Sequence, residues 1–428
     1  MARKKGCLKT TASLFVTGLL VLNTVATVLA DPSELSLDDS IAMALQNNPS
    51  IKMAVSDKDK AAWGIKEMEA GKMPALSLAN SGSRASGAAD SLPGNSFNTS
   101  LRLSVPLYTG GRTDALVDQA KYNADAANLG VDKAKGELRL NTTTAYFNVL
   151  QNHNLVKVNQ ETVDNLTAHL KNVQAQYDVG TVAKADVLRS EVELANAQQN
   201  LVKIQNADNL AAANLNNVIG MPLDTQSILK DQLSLIPYNL SLADSITLAL
   251  KNRPEVAQSK DSIDAAKAGI KIADSGRLPT VAASGSEGIA GSNFPGQNSN
   301  WSAGVSANWN LFDSGLTSAK VKQAATGVDK AQQTDQQTRD SIELEVRQAY
   351  LSMTEAGARI QTSKVAVDQA EEGLKTAQAK YSAGVGTNLD VIDAQVVLTQ
   401  AQTNDTQALY DYNVNKAKLE KAVGLGMK

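Results

Sequence analysis

Two carboxylates near the end of the chain have the spacing that could bind a cation. In the stretch TNLDVIDAQ, residues 387–395, Asp390 and Asp393 lie three positions apart, shortly after two glycines. An i,i+3 pair lies on one face of an α-helix, so both side chains could face the same ligand or the same pore. The alternative is two solvated carboxylates early in a helix, where the helix dipole favours negative charge. From this pair alone, both interpretations stay open.

Other residues that support catalysis or metal binding are scarce. His153 and His169 have no carboxylate at ligand spacing, so we expect both to be surface residues of a coiled coil rather than metal ligands. No Ser/His/Asp signature and no phosphate-binding glycine loop is present. Cys7, the only cysteine, lies near the N-terminus. The sequence predicts neither an enzyme nor a cofactor or metal site.

The N-terminus has the layout of a secretory signal peptide. Arg3, Lys4 and Lys5 precede an apolar run over 14–22, and small residues end at Ala30. We expect residues 1–30 to be removed on export. Beyond them we find no run of about 18 apolar residues, so a membrane-spanning part would have to be a closed β-barrel. The net charge of −3 predicts no nucleic-acid partner.

The rest of the chain is a duplication. The stretch LSLDDSIAMALQNNP at 35–49 recurs as LSLADSITLALKNRP at 240–254, and later landmarks keep an offset of about 204 residues. We predict a first repeat over 31–220, a linker over 221–239 and a second repeat over 240–428. The matched landmarks include Gly71 with Gly276, YTGG at 108 with FDSG at 312, Tyr177 with Tyr381, and Gly220 with Gly424.

Each repeat ends in a predicted helical hairpin, over about 112–220 in the first repeat and about 316–424 in the second. Apolar residues recur there at 3/4 spacing, which predicts coiled-coil packing. From 112 to 177 the helix would be about 100 Å long at 1.5 Å per residue. Gly180 and Gly384 would reverse the chain at the far end. A soluble filament or stalk would have the same heptads.

A predicted strand pair precedes each hairpin, over about 75–108 and about 280–312. The stretch WSAGVSANWNLF at 301–312 alternates between apolar residues and small polar ones. In 100–107, apolar residues alternate with Ser100, Arg102, Ser104 and Pro106. This alternation fits a half-buried strand of a soluble sheet or a barrel strand between lipid and water. Trp301 and Trp309 are about 26 Å apart along a strand, which fits two aromatic girdles around an apolar band of about 25 Å. The segments 84–96 and 288–300 are predicted loops.

The number of strands predicts an oligomer. Each chain supplies about four strands, and four strands cannot close a barrel without leaving unpaired edges in lipid. Several chains must therefore share one barrel. Three chains would give twelve strands and twelve long helices.

The chain resembles the TolC-type outer-membrane efflux proteins over nearly its whole mature length. The resemblance rests on the order and duplication of several motifs. They are LSLxDSIxxALxNxP at both repeat starts, VPLYTGGR at 105–112, YDVGTVAKADVL and YSAGVGTNLDVIDAQ at the hairpin turns, and the closing LNNVIG and LEKAVG.

This resemblance implies an α+β fold, mostly α, in which a coiled-coil α-helical barrel continues into a transmembrane β-barrel. It implies a homotrimer in the cell outer membrane with a long periplasmic extension, and a passive exit duct for efflux or type I secretion. The implied partners are a periplasmic adaptor and, through it, an inner-membrane transporter. A periplasmic adaptor or a poreless coiled-coil structural protein is the alternative.

The resemblance also implies a gate at the periplasmic end. Asp390 and Asp393 match the family's aspartate pair at the narrowest point, and Tyr381 and Asp186 match its polar links. Gly386 occupies the position of the basic residue that usually joins them. The exposed hairpin turns are the expected adaptor contacts, at Val179, Gly180, Thr181, Gly384, Val385, Gly386 and Thr387.

Overall fold

The computed structural model describes residues 34–85 and 94–425, so the predicted signal peptide lies outside the described residues. The first half contains β1 (Glu34–Leu35), α1 (Leu37–Asn47), α2 (Pro49–Ala70), β2 (Ala75–Ala85), β3 (Gly94–Tyr108), α3 (Arg112–Asp178) and α4 (Lys184–Ile219). The second half contains β4 (Ile228–Leu229), α5 (Leu242–Asn252), α6 (Pro254–Asp274), β5 (Thr280–Gly291), β6 (Asn298–Asn308), α7 (Leu316–Ser382) and α8 (Asn388–Val423).

The two halves repeat the same elements with the same lengths. Helices α3 and α7 have 67 residues each, and α4 and α8 have 36 each. A helix of 67 residues is about 100 Å long. Gly180 and Gly384 have φ of 80° and 75° in the turns between the long helices, a conformation that L side chains rarely adopt. The predicted hairpins and their turns are therefore present.

The short helices begin where local chemistry favours a helix start. The Ser36 hydroxyl accepts a hydrogen bond from the Asp39 backbone N–H, and the Asp39 carboxylate accepts one from the Ser36 backbone N–H. This reciprocal pair is a capping box. Pro49 and Pro254 occupy the first positions of α2 and α6, where a missing N–H costs no helical hydrogen bond.

One antiparallel sheet contains the long strands in the order β2-β3-β5-β6. Side chains alternate between its faces, so the register assigns each residue to one face. One face, called the apolar face, carries Leu76, Leu78, Leu101, Leu103, Val105, Ala283, Val305 and Trp301. The other, called the polar face, carries mainly serine, asparagine, alanine and glycine. Within the described residues, β2 and β6 each have one edge without a partner strand.

Two sequence predictions about this sheet are wrong in detail. The second-repeat strand ends at Asn308, so Trp309 and Leu311 lie beyond it. Asn308 pairs with Thr280, the first residue of β5, so within the described residues of one chain no strand residue pairs beyond it. The predicted loop over 288–300 is also too long, because β5 continues to Gly291 and β6 begins at Asn298. In the first repeat, β2 and β3 extend into 84–96, of which 86–93 lies outside the described residues.

The second short helix of each repeat has a different environment in the two halves. Helix α6 packs between α3 and α7, and the Gln258 side-chain amide donates to the Ala126 carbonyl of α3 at 2.8 Å. Helix α2 packs on α3, and no residue of α2 is buried. Trp63 on α2 is 74% exposed, whereas Ala268, its counterpart on α6, is buried. One side of α2 is therefore uncovered in the single chain.

A tyrosine on α3 holds the linker against the helices. Tyr146 is fully buried, and its hydroxyl lies 2.9 Å from the Leu35 carbonyl and 2.8 Å from Asp231 Oδ2. Asp231 Oδ2 also accepts from the Leu37 N–H at 2.8 Å. Burial raises the pKa of Tyr146, so the hydroxyl keeps its proton as a donor. This contact stabilises the parallel pairing of β1 with β4.

We expect Tyr146→Phe to weaken the pairing of β1 with β4. The substitution removes the hydrogen bonding of the Tyr146 hydroxyl to the Leu35 carbonyl and Asp231, and a lost hydrogen bond costs about 0.5–1.5 kcal/mol. Hydrogen exchange at the Lys230 amide, which donates to the Leu35 carbonyl at 3.0 Å, measures the local opening. Tyr350 is the counterpart in the second repeat and makes no hydrogen bond through its hydroxyl within the described residues. Tyr350→Phe is therefore the control, and equal exchange in the two variants would contradict the assignment.

A partly buried ion network lies in the second repeat and has no counterpart among the described residues of the first. The Arg253 guanidinium, at the end of α5, donates to Glu255 and to Glu345 at 2.8 Å each, and Lys421 donates to Glu345 at 2.9 Å. In the first repeat Asn48 occupies the same place, and its amide donates to the Val218 carbonyl at 2.9 Å. The same corner of the fold is therefore charged in one repeat and neutral in the other.

Among the described residues, no helix combines the length and apolarity of a membrane span.

Candidate functional site

The two hairpin turns lie at the same end of the molecule, and their helices share one apolar core. Cross-repeat packing joins α3 and α4 to α7 and α8 there. We call this set the tip core; its buried members are Val173, Val187, Ala370, Leu374, Tyr381, Val391, Leu398 and Ala401. The heptad pattern predicts this packing, because its apolar positions recur on one face of each helix.

Beside the tip core lies a group of polar residues that joins the two repeats, called here the tip polar cluster: His169, Ser190, Asn388 and the Asp186 carbonyl. His169 Nε2 lies 2.6 Å from Asn388 Oδ1, which also accepts from the Ser190 hydroxyl at 3.1 Å. The Asn388 amide donates to the Asp186 carbonyl at 3.0 Å. Because Asn388 Oδ1 can only accept, His169 must carry its proton on Nε2.

The prediction that His169 is a surface residue is wrong. Its side chain is 7% exposed, and its ring lies 5.1 Å from the Tyr381 ring in an edge-to-face arrangement. Helix α8 covers it from the other repeat, and the heptads of α3 alone cannot reveal that cover. Burial lowers the pKa of His169, with a smaller opposing effect from the Asn388 hydrogen bond. The imidazole is therefore held neutral.

Tyr381 and Asp186, the predicted polar links, belong to this region, but their side chains are not joined by a hydrogen bond. The Tyr381 hydroxyl is buried and has no hydrogen-bond partner within the described residues. Burial raises the pKa of Tyr381, and the negative charge of Asp186 raises it further. The inter-repeat hydrogen bonds pass through His169 and Asn388 instead.

Asp390 and Asp393 lie exposed near the start of α8. The Asp390 carboxylate accepts from the Thr387 N–H at 2.8 Å, and the Asp390 N–H donates to the Thr387 hydroxyl at 3.2 Å. These two bonds complete a capping box. The hydrogen bonds that the Asp390 carboxylate accepts from the backbone and side chain of Thr387 lower its pKa. The carboxylate thus stays ionised and has a role in starting the helix, as the alternative interpretation expects. Asp393 lies three residues further along the same exposed face.

The predicted adaptor contacts are exposed, except for Gly386, which is half-buried. Val179 and Val385 are 75% and 77% exposed, unusually high values for apolar side chains in matching turns. Gly386 is close to the preceding helix, since a Cβ there would lie 3.0 Å from Lys380 Cβ. A basic side chain at 386 would therefore require a local shift. Gly180, Thr181, Gly384 and Thr387 complete the two turns.

The predicted girdle tryptophans lie at the opposite end of the molecule, in the sheet. Trp301 is exposed on the apolar face of β6. Trp309 is also exposed, and its indole N–H donates to the Arg277 carbonyl at 3.0 Å. Both rings are thus available to an apolar surrounding, although only Trp301 lies within a strand.

Sequence reasoning missed Asn388, Ser190 and the burial of His169. A usable signal was present for Asn388, which directly follows the cap residue Thr387 on the buried face of α8. Across residues 34–85 and 94–425, no group of three or more His, Cys, Asp and Glu side chains is placed to hold a metal ion.

Two long helical hairpins joined to a four-stranded sheet are also the fold of solved outer-membrane channels with a helical extension. The CmeC outer membrane channel of Campylobacter jejuni has this fold: its structure matches with a TM-score of 0.78 at 18% identity, over 91% of this chain and 85% of CmeC.

The family model described as "Outer membrane efflux protein" matches residues 40–221 and 245–425. The chain belongs to the outer membrane efflux protein family. The outer membrane protein TolC of Escherichia coli (strain K12) is 26% identical over 400 residues, covering 88% of this chain and 80% of TolC. The alkaline protease secretion protein AprF of Pseudomonas aeruginosa is 22% identical over 425 residues, covering 92% of this chain and 85% of AprF.

Proposed function

We propose that this protein is the outer-membrane exit duct of an efflux or secretion machine. It conducts substrates passively and has no catalysis of its own. The observation that carries the proposal is the sheet with one apolar and one polar face, joined directly to two hairpins about 100 Å long. Lipid would cover the apolar face and water would fill the space along the polar face. The family match favours this duct over a periplasmic adaptor or a poreless coiled coil.

We propose further that three copies form the duct. Within one chain, the two repeats meet where β3 pairs with β5 and where α6 packs on α3. Copying this interface between chains pairs β6 with β2 of a neighbouring copy and covers the exposed side of α2 with the neighbour's α7. Both unpaired strand edges then have partners, and the exposed side of α2 that carries Trp63 is covered. Three copies give a barrel of twelve strands.

At the periplasmic end, the gate would lie at the hairpin tips. In a ring of three copies, Asp390 and Asp393 would supply six carboxylates around one axis, which favours cations. The capping role of Asp390 is compatible with this, since the capping box keeps its carboxylate ionised at the tip. Tyr381, Asp186 and the tip polar cluster would hold the hairpins together.

The exposed turns around Val179 and Val385 would contact a periplasmic adaptor. Such exposed apolar side chains indicate a binding surface that a partner protein covers. An inner-membrane transporter would supply the energy through this adaptor. We also propose that the mature chain follows residue 30 and that residues 221–239 link the repeats.

A thiol crosslink tests the shared barrel. Leu103 of β3 pairs with Gly285 of β5 inside one chain. The corresponding positions of the other repeat are Ala307 on β6 and Asn80 on β2, so we expect these two to pair between neighbouring copies. We expect Ala307→Cys with Asn80→Cys to give covalent dimers and trimers with a short bismaleimide in outer-membrane vesicles. Cys7 is the only native thiol and lies in the predicted signal peptide, so the background is low.

The matched control is Ala307→Cys with Arg84→Cys. Arg84 lies on the same strand and face as Asn80 but about 13 Å further along, beyond the reach of a short crosslinker. Equal crosslinking of both pairs would contradict the register. Monomers from the first pair, or recovery of the protein in the aqueous periplasmic fraction without detergent, would contradict the shared barrel.

A further inference from the structure

One arginine stands out on the polar face of the sheet. Among the strand residues that the structure describes, Arg102 is the only charged side chain on that face. It lies on β3 in a row formed by all four strands, opposite Ser77 on one side and Ser286 on the other, with Ser302 next in the row. The two serines beyond it interact, with their hydroxyl oxygens 2.9 Å apart.

The charge of Arg102 is not balanced within the described chain. The residue is exposed, and no carboxylate forms an ion pair with it in the described residues. Glu287 is adjacent in the sheet, but it pairs with Leu101 and Trp301 and so lies on the apolar face. A guanidinium that faces serines and water keeps its hydrogen-bond donors available.

This arrangement has the chemistry of oxyanion recognition. A guanidinium presents donors in a planar fork that matches phosphate, sulfate or carboxylate groups, and serine hydroxyls supply further donors. We propose that Arg102 of each copy contributes to a ring in the duct that binds multivalent anions. This inference rests on the proposed function, because three copies must bring the polar face to a common lumen.

The level of the ring follows from the strand register. Arg102 lies eight residues from Gly94 and six from Tyr108, the two ends of β3. The long helices connect to the Tyr108 end of this strand. The ring therefore lies near the middle of the sheet, and anions added outside the cell reach it without passing the hairpin tips.

The duplication makes the ring threefold. The repeat offset matches Arg102 with Ser306 of the second repeat. Three arginines therefore alternate with three serines around the barrel. The acidic residues at the other end of the duct attract cations, so the two ends would have opposite ion preferences.

Current block by inorganic pyrophosphate in planar bilayers tests the ring. We expect pyrophosphate on the external side to block the wild-type duct at a concentration about tenfold or more below that needed for Arg102→Ser, because charged hydrogen bonds are lost. Arg102→Lys should retain part of the block, and Ser306→Arg should strengthen it. Raising the salt from about 0.1 M to about 1 M should weaken the block as the Debye length falls from about 10 Å to about 3 Å.

The outcomes separate this inference from the proposed function. If wild type and Arg102→Ser conduct and are blocked equally, the anion ring is wrong and the duct stands. If block is stronger from the helix side than from the external side, the assignment of the ring to the sheet is wrong. If no variant conducts, the proposed function fails, and the ring fails with it.

Discussion

Replacing Asp390 and Asp393 together by asparagine should lower the preference of the open duct for cations severalfold and remove its block by divalent cations. The reason is electrostatic, since six carboxylates around one axis raise the local cation concentration and offer oxygen ligands to divalent ions. The measurement is the reversal potential across a planar bilayer under a salt gradient, followed by titration with Mg²⁺ from the helix side.

Asparagine is the better replacement because Asp390 also starts a helix. Alanine would remove the acceptor for the Thr387 N–H, and the loss of a cap costs about 1 kcal/mol. Asparagine keeps an acceptor oxygen while removing the charge. The charge-retaining control is Asp390→Glu with Asp393→Glu, since glutamate is favoured at this capping position.

This control should keep cation preference and divalent block close to wild type. Unchanged currents in the asparagine variant would show that the pair does not line the narrowest point. Its residues would then be only the solvated start of α8.

Lowering the pH from about 8 to about 5, the window in which histidine titrates, should loosen the contact between the two hairpins of one chain. We call the tip closed when the two hairpins pack together, as in this structure, and open when they separate. Burial lowers the pKa of His169 in the closed tip, whereas an exposed imidazole in the open tip would titrate at about 6.5. Between these two pKa values the open tip takes up a proton that the closed tip does not. Stability of the closed tip is therefore full above about 6.5 and is lost as the pH falls through the lowered pKa.

The groups that surround His169 do not reverse this sign. Asn388 on α8 and Tyr381 on α7 contact the ring, and Ser190 on α4 completes the group. None of them carries negative charge at neutral pH. The Asp186 carbonyl, rather than its carboxylate, accepts from Asn388. A protonated imidazole thus meets no carboxylate in the tip polar cluster that would compensate its desolvation.

Spin labels on the turns measure the loosening. Val179→Cys and Val385→Cys are largely exposed positions, and pulsed electron resonance gives the distance between their labels. Cys7, the only native cysteine, lies in the predicted signal peptide. We expect the distance distribution to widen at acid pH in the parent protein and to stay constant in His169→Gln, which can still donate to Asn388. His169→Leu should be loose at every pH, since a lost hydrogen bond costs about 0.5–1.5 kcal/mol.

His153 provides the matched control. It is exposed on the same helix, so His153→Gln should preserve the acid response. A response that persists in His169→Gln, or disappears in His153→Gln, would assign the titration to another group.

The parts of the fold in which residue types recur at a regular spacing could be predicted from the sequence. The offset between the repeats and the 3/4 spacing give both long hairpins and their turns at Gly180 and Gly384. Alternation gives the two faces of the sheet, because side chains of a strand point to opposite sides. These patterns describe one element at a time and do not require knowledge of its neighbours.

The residues that were missed depend on contacts between elements. The sequence predicts an exposed His169 because the heptads of α3 do not show that α8 of the other repeat covers this residue. The sequence predicts a strand residue at Trp309 because the alternation of apolar and polar residues continues past Asn308. Strand β5, however, begins at the residue that pairs with Asn308, so it has no partner for Trp309. The charge of Arg102 becomes notable only when the register of all four strands is known.

The Arg253 network has a consequence for how such a ring can diversify. A ring of six identical single repeats would carry every substitution six times, so a buried arginine would need its two glutamates at each position. In the proposed ring of three copies, the two repeats of each chain alternate around the circle, so a residue of one repeat occurs at only three of the six places. The first repeat has a neutral Asn48 where the second has Arg253 with Glu255 and Glu345. A duplicated chain can therefore place a charged joint at three positions and a neutral joint at the other three, which six identical single repeats could not do.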